Sequence, residues 1–170
     1  MNDWFGVLAG LAFTGSFATF GIFGGLIADR YNRTLVIGFA CIAWSVCTLL
    51  TGLIDSFALL FALRFGLGMF ESVFNPCAYS ILADFYHPDH RTLANSLFNS
   101  GIYLGGALAS LSTLIITHGG WRLAYAITGA IGIGMGILSL LFVREPVRNF
   151  FAKKAAAATP AAVNESERVA

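Results

Sequence analysis

Four runs of this chain, residues 4–28, 34–54, 92–117 and 123–143, contain no Asp, Glu, Lys or Arg, and a fifth, residues 57–83, contains only Arg64 and Glu71. About 20 apolar residues carry an α-helix across a bilayer, so each run is long enough to do so. The chain of 170 residues is 57% hydrophobic and 11% charged, where a soluble domain carries roughly 25% charged residues. An ordinary cytosolic protein is thereby excluded, and an all-α integral membrane protein with five transmembrane helices is expected.

The spans read as 4–28, 34–54, 57–85, 92–116 and 121–143, joined by short connections, which makes consecutive helices antiparallel neighbours in one bundle over residues 1–146. The third span, at 1.5 Å per residue, is about 43 Å long against a hydrocarbon core of roughly 30 Å. It is expected to tilt, to kink near Pro76 or to extend beyond the membrane. Residues 147–170 lose the apolar run and read as a solvated tail or linker.

The net charge of +1 says little about partners, but its placement fixes a topology. Arg30 and Arg33 follow the first span, Arg91 precedes the fourth, and Arg144, Arg148, Lys153 and Lys154 follow the fifth, whereas the alternate connections hold only Arg122. The positive-inside rule places the first group and the tail in the cytoplasm and Met1 on the opposite side. The start, MNDW, has no basic region of the kind that opens a secretory signal peptide.

Glycines recur four residues apart at Gly6 and Gly10, Gly101 and Gly105, and Gly132 and Gly136, and they cluster at Gly21, Gly24 and Gly25. Small residues at that spacing let helix backbones approach closely in lipid, so a tightly packed bundle is expected. Cys41, Cys47 and Cys77 fall within spans without metal-ligand spacing and read as small core residues. His87 and His90 in HPDHR lack a further ligand set for zinc, and neither a phosphate-binding loop nor a nucleophile elbow is present. No metal, cofactor or nucleic acid is expected.

Arg64 and Glu71 carry the chemistry. An ionisable side chain at the bilayer centre costs roughly 2.5–3.5 kcal/mol on insertion scales, so it normally faces a bundle interior or an aqueous cavity. Seven residues is close to two helical turns, which puts both on one face about 10 Å apart along the axis, too far to neutralise each other. Arg stays charged and can grip a carboxylate or phosphate, whereas a carboxyl in a low-dielectric cavity can take up a proton near neutral pH. The alternative is a structural pair locking helices, which gains little after desolvation. Asn75 lies four residues beyond Glu71, and Asn95, Asn99 and Tyr103 recur every four residues on the next helix, as a polar lining or as interhelical hydrogen bonds.

The turn GLIADRYNR offers a second constellation. Asp29 sits at a helix C-terminus, where the dipole disfavours an acid, so it needs a compensating partner, and Arg30 and Arg33 make the turn basic. Gly25, Asp29, Arg30 and Arg33 together resemble the G-x-x-x-D-R-x-G-R-[RK] loop of the major facilitator superfamily. Asn32 replaces the usual Gly and Thr34 the usual basic residue; Asn tolerates a left-handed turn, and the loss of the second charge weakens a latch. Arg64, Gly68 and Pro76 are similar to the R-x-x-x-G…P pattern of that family's fourth helix. The segments from Leu82 to Ser110 and from Gly119 to Gly132, with REP at 144–146, resemble its fifth and sixth helices.

The resemblance covers residues 4–146 and implies that the five spans correspond to helices two to six of the N-terminal bundle, without helix one. Within the family the pattern is most similar to the spinster-like lysolipid and sphingolipid transporters, with organic-anion transporters sharing the Arg and Glu spacing. It implies a proton-linked or facilitative secondary transporter of a small organic or lipid-like solute, working by alternating access between inverted repeats. Arg64 would bind the anion or relay charge, Glu71 would couple protons, and Gly25, Asp29, Arg30 and Arg33 would form a conformational latch. The missing helix one and C-terminal half would be partners. A different class of reading is a non-transporting truncated paralogue or subunit that binds another transporter chain; a membrane-embedded enzyme finds no converging nucleophile or metal set.

Overall fold

The computed structural model describes residues 4–151 and 153, so Met1 and the expected tail beyond its first few residues lie outside the described residues. The described chain is helical: α1 (Trp4–Arg30), α2 (Arg33–Thr51), α3 (Phe57–Ser72), α4 (Phe74–Phe85) and α5 (Pro88–Phe142). Taking α3 and α4 as one interrupted span, four stretches are long and apolar enough to cross a membrane, not five. The difference lies in α5, whose 55 residues join two helices across Gly120, a residue within the connection expected between 116 and 121.

Gly120 alone leaves the helical region inside α5, at φ 78° and ψ 165°. That backbone combination is essentially restricted to glycine. Pro88 follows closely on the end of α4, while Asn149, just beyond α5, donates its amide to Asp84 of α4 at 3.0 Å. The element therefore starts and finishes at the same end of the bundle. Residues 88–119 and 121–142 run in opposite directions, and Gly120 makes the reversal.

Asn32 does not adopt the left-handed turn expected of it. It is extended, at φ −65° and ψ 112°, and its side chain accepts from the Leu35 amide at 3.0 Å, capping α2. An Asn at this position satisfies one of the donors a helix start leaves open, a role Gly cannot fill.

The break between α3 and α4 falls at Val73, three residues before Pro76. Proline has no amide hydrogen for the Ser72 carbonyl four residues earlier and its ring crowds that carbonyl, which is why the ladder fails upstream of the proline itself. Gly24 of α1 packs on this break: a Cβ there would meet the Ser72 carbonyl, Val73 Cα and Pro76 Cγ, each at 3.3 Å.

The glycine pairs divide into two kinds. Gly129, Gly132 and Gly136 face α2, where added Cβ atoms would meet Leu49, Ser45 and Ile42, and Gly38 of α2 receives Leu140 in return. The α2 positions 38, 42, 45 and 49 follow a helical stripe, so two antiparallel backbones close on each other along it. Gly68 of α3 is pressed in the same way on Ser16 and the Phe13 carbonyl of α1. Gly6, Gly10, Gly21, Gly25, Gly101 and Gly105 instead have nothing within 4 Å, so the close packing expected at those positions is absent from the described bundle. Residues 101–111 are exposed throughout.

Candidate functional site

Arg64 is half-buried on α3, and its Nη2 donates to the phenol oxygen of Tyr125 at 2.7 Å. Its guanidinium carbon lies 5.9 Å from the centroid of the same ring. No carboxylate pairs with it among the described residues; the ion pairs found there all involve other side chains. Glu71 is also half-buried and has neither ion pair nor hydrogen bond to a described side chain. The two charges thus stay separate, as their spacing requires, and neither meets an opposite charge among the described residues.

The four polar residues expected beside them are scattered. Asn99 accepts from the Tyr79 hydroxyl at 2.7 Å, linking residues 88–119 to α4. Phe98 next to it stacks on Phe74 at 6.3 Å and meets Tyr79 edge-on at 5.4 Å. Asn95 is half-buried without a side-chain hydrogen bond among the described residues, whereas Asn75 is exposed and Tyr103 is 80% exposed. Tyr103 stands on the exposed stretch, so the expected lining shared by all four does not form. A groove of about 630 Å³ lies beside α1, α2 and α3, lined by Ile27, Tyr31, Leu35, Phe39, Phe70 and Val73, and a second of about 430 Å³ includes Leu11, Phe20, Phe61 and Phe65. Neither is lined by any of the expected site residues.

The densest polar cluster is at the end of the bundle where α2 begins. Arg33, 2% exposed, donates through Nε to Glu145 and through Nη1 to Asp84 and to Ser80, each at 2.7 Å. Glu145 also accepts from the Thr34 amide at 3.0 Å and its hydroxyl at 3.2 Å. Burial alone would push the Glu145 carboxyl up, but the Thr34 amide and the Arg33 guanidinium outweigh it and hold the group below the ordinary glutamate range. Arg33 Nη2 remains buried with no acceptor among the described residues.

Of the residues expected in a latch, only Arg33 is engaged this way. Asp29 is exposed and its carboxylate has no described partner; what the turn receives is Arg148, whose guanidinium donates to the main-chain carbonyls of Ala28 (3.1 Å), Asp29 and Tyr31. The expected compensation at the end of α1 is thus directed to the open carbonyls rather than to the acid, as a cation at a helix C-terminus favours. Arg30 is exposed without an ion pair among the described residues, and Gly25 is turned away from the contact that its neighbour Gly24 makes.

Tyr125, Asp84, Glu145 and Arg148 escaped the sequence reading. Glu145 was read within the bundle as part of REP and Arg148 within the tail, yet together they strap the end of α5 to α1 and α2. Three acids or bases at one end of a bundle, Asp84, Glu145 and Arg148, were the available signal. His87 pairs with Asp89 at 3.1 Å, both exposed, and no cluster of three His, Cys, Asp or Glu suited to a metal occurs among the described residues.

The model of the Major Facilitator Superfamily matches residues 4–167. The chain is 32% identical over 135 residues to a probable sulfoacetate transporter, SauU, of Cupriavidus necator, covering 79% of this chain and 31% of that protein. It is 31% identical over 128 residues to the sphingosine-1-phosphate transporter SPNS2 of Danio rerio, covering 73% of this chain and 25% of that protein. Among solved structures, a bacterial homologue of the human lysosomal transporter Spinster, inward-facing and unoccupied, superposes with a TM-score of 0.76 at 32% identity, over 86% of this chain and 36% of that one. The chain spans a quarter to a third of the length of these curated relatives.

Proposed function

Because the chain belongs to the Major Facilitator Superfamily, we propose that it forms part of a secondary transporter that moves an anionic organic or lipid-like solute by alternating access. Arg64 binds the anion and Glu71 couples protons. The observation that carries this reading is the Arg64 guanidinium, set in an apolar span with a neutral phenol as its described partner. An uncompensated cation in a low-dielectric setting is costly, and an anionic solute supplies the missing charge.

Two relatives fit that chemistry. The solutes in their names, for a probable sulfoacetate transporter and a sphingosine-1-phosphate transporter, both carry a compact oxyanion, although one is small and the other lipid-like. The Arg33 end of the bundle lies on the cytoplasmic side in this reading, and its ion pairs with Asp84 and Glu145 act as the latch, with Asp29 free to engage a further helix.

Uptake of radiolabelled sulfoacetate and of sphingosine 1-phosphate into proteoliposomes tests the assignment. Arg64→Ala should abolish uptake, and Glu71→Gln should remove its response to an imposed pH gradient. If both variants behave like the wild type, the assignment is wrong. A second reading, a partner subunit of a longer transporter, is favoured by the exposed apolar stretch 101–111. Uptake by the 170-residue chain alone would exclude it.

A further inference from the structure

Tyr125 is placed with unusual care for a residue next to a chain reversal. Gly52, at the end of α2, is close enough that a Cβ there would meet Tyr125 Cβ at 3.0 Å and the Arg122 carbonyl at 2.9 Å. The backbone of Tyr125 is therefore seated on α2. From the other side Trp121 meets its ring edge-on, with centroids 6.1 Å apart, and Arg122 in turn lies 5.1 Å over Trp121 while pairing with Asp55. These contacts run from a surface ion pair inward to Arg64.

The hydrogen-bond inventory of the two side chains is incomplete on one side. The Tyr125 oxygen accepts from Arg64, but the phenol's own proton has no acceptor among the described residues, and the other guanidinium N–H groups have none either. Arginine carries five donors and a phenol one. Two donor groups with spare protons, 2.7 Å apart, converge without an acceptor.

We propose that Tyr125 and Arg64 form one oxyanion subsite, in which Tyr125 positions the guanidinium through its oxygen and offers its own proton to the same carboxylate, sulfonate or phosphate. This rests on the reading of Arg64 as an anion-binding group and adds the residue that completes it. Trp121 and Gly52 fix where the phenol stands, so the subsite is formed before the anion arrives. One charge-assisted hydrogen bond to an oxyanion corresponds to roughly tenfold in affinity.

The test is thermal unfolding of the purified chain in detergent, titrated with sodium sulfate, phosphate or acetate against chloride at constant ionic strength. A saturable oxyanion shift is expected for the wild type, with a midpoint about tenfold higher in Tyr125→Phe and no saturable shift in Arg64→Ala. The double variant should match Arg64→Ala. Trp121→Leu, which removes the brace and leaves the phenol, should move the midpoint about threefold in the same direction and stands in if Tyr125→Phe does not accumulate. No saturable shift in the wild type, or an unchanged midpoint in these variants, overturns the proposal. Loss of oxyanion binding in Arg64→Ala with intact uptake would instead sink the transport role and leave the subsite standing.

Discussion

Glu145, three residues past the end of α5, accepts from Arg33 Nε at 2.7 Å and from the Thr34 amide at 3.0 Å, so one carboxylate ties the last helix to the first turn of α2. Removing it leaves Arg33, already with an unpartnered Nη2, short of a second acceptor. Glu145→Gln should lower stability by about 1–3 kcal/mol. Cys77 is fully buried, so in a background with the half-buried Cys41 and Cys47 replaced by Ser, the temperature at which it first reacts with a fluorogenic maleimide reports the loss.

The same carboxylate gives the effect a pH dependence. Its folded pKa lies below the ordinary value, so the stabilisation is present above about pH 4.3 and disappears as pH falls through the folded value. The wild type should therefore be more stable than Glu145→Gln at pH 7 and converge with it in acid. A constant gap down to pH 3 would show that the Arg33 and Thr34 contacts do not control this group.

How much of this was open to a sequence reader depends on range. The apolar runs, the capping or turn chemistry at residues 29–33 and the weakness near Pro76 are local, and the helices follow them to within a few residues. The separation of Arg64 from Glu71 followed from helical spacing alone. Tyr125 was not legible, because it meets Arg64 across 61 residues and nothing in its immediate neighbours marks it. The partners of Arg33, Asp84 and Glu145, were hidden for the same reason. The reversal was expected between 116 and 121, where the apolar runs pause, and the structure narrows it to Gly120, with helix running up to it from both sides.

Gly120 gives a third prediction. A Cβ there has open space, so sterics with neighbours cannot explain a loss, but φ 78° with ψ 165° is strained for any L side chain. Gly120→Ala should cost about 1–3 kcal/mol. Gly105→Ala, also in open space but in helical backbone, should be neutral or stabilise by roughly 0.5–1 kcal/mol. Thermal unfolding of the two in one detergent separates backbone strain from packing, and equal effects would contradict the reversal at Gly120.

Gly68 tests packing with the backbone held constant. Its Cβ would overlap Ser16 and the Phe13 carbonyl, and a carbonyl on a neighbouring helix cannot swing aside as a side chain can. Gly68→Ala should therefore separate α1 from α3 and destabilise by about 1–3 kcal/mol. The companion change Ser16→Ala removes only the flexible part of the clash, so the double variant should recover a minor share of the loss. Full recovery would mean that Ser16 alone, and not the α1 backbone, sets the distance.

Arg148 carries the last prediction. Its guanidinium reaches three carbonyls at the end of α1, at Ala28, Asp29 and Tyr31, groups that a helix terminus leaves without partners. It also lies 3.9 Å from Glu145, so it supports the carboxylate that holds Arg33. Arg148→Gln should cost about 1–2 kcal/mol, a half-buried cap rather than a fully buried pair. Lys has the charge but not the planar fork that spans three acceptors, so Arg148→Lys should recover less than half of the loss. Arg144→Gln, at an exposed position without a described ion pair, is the control and should fall within about 0.5 kcal/mol of the wild type. If Arg144→Gln and Arg148→Gln destabilise equally, bulk positive charge at this end of the bundle, and not the carbonyl contacts, is what matters.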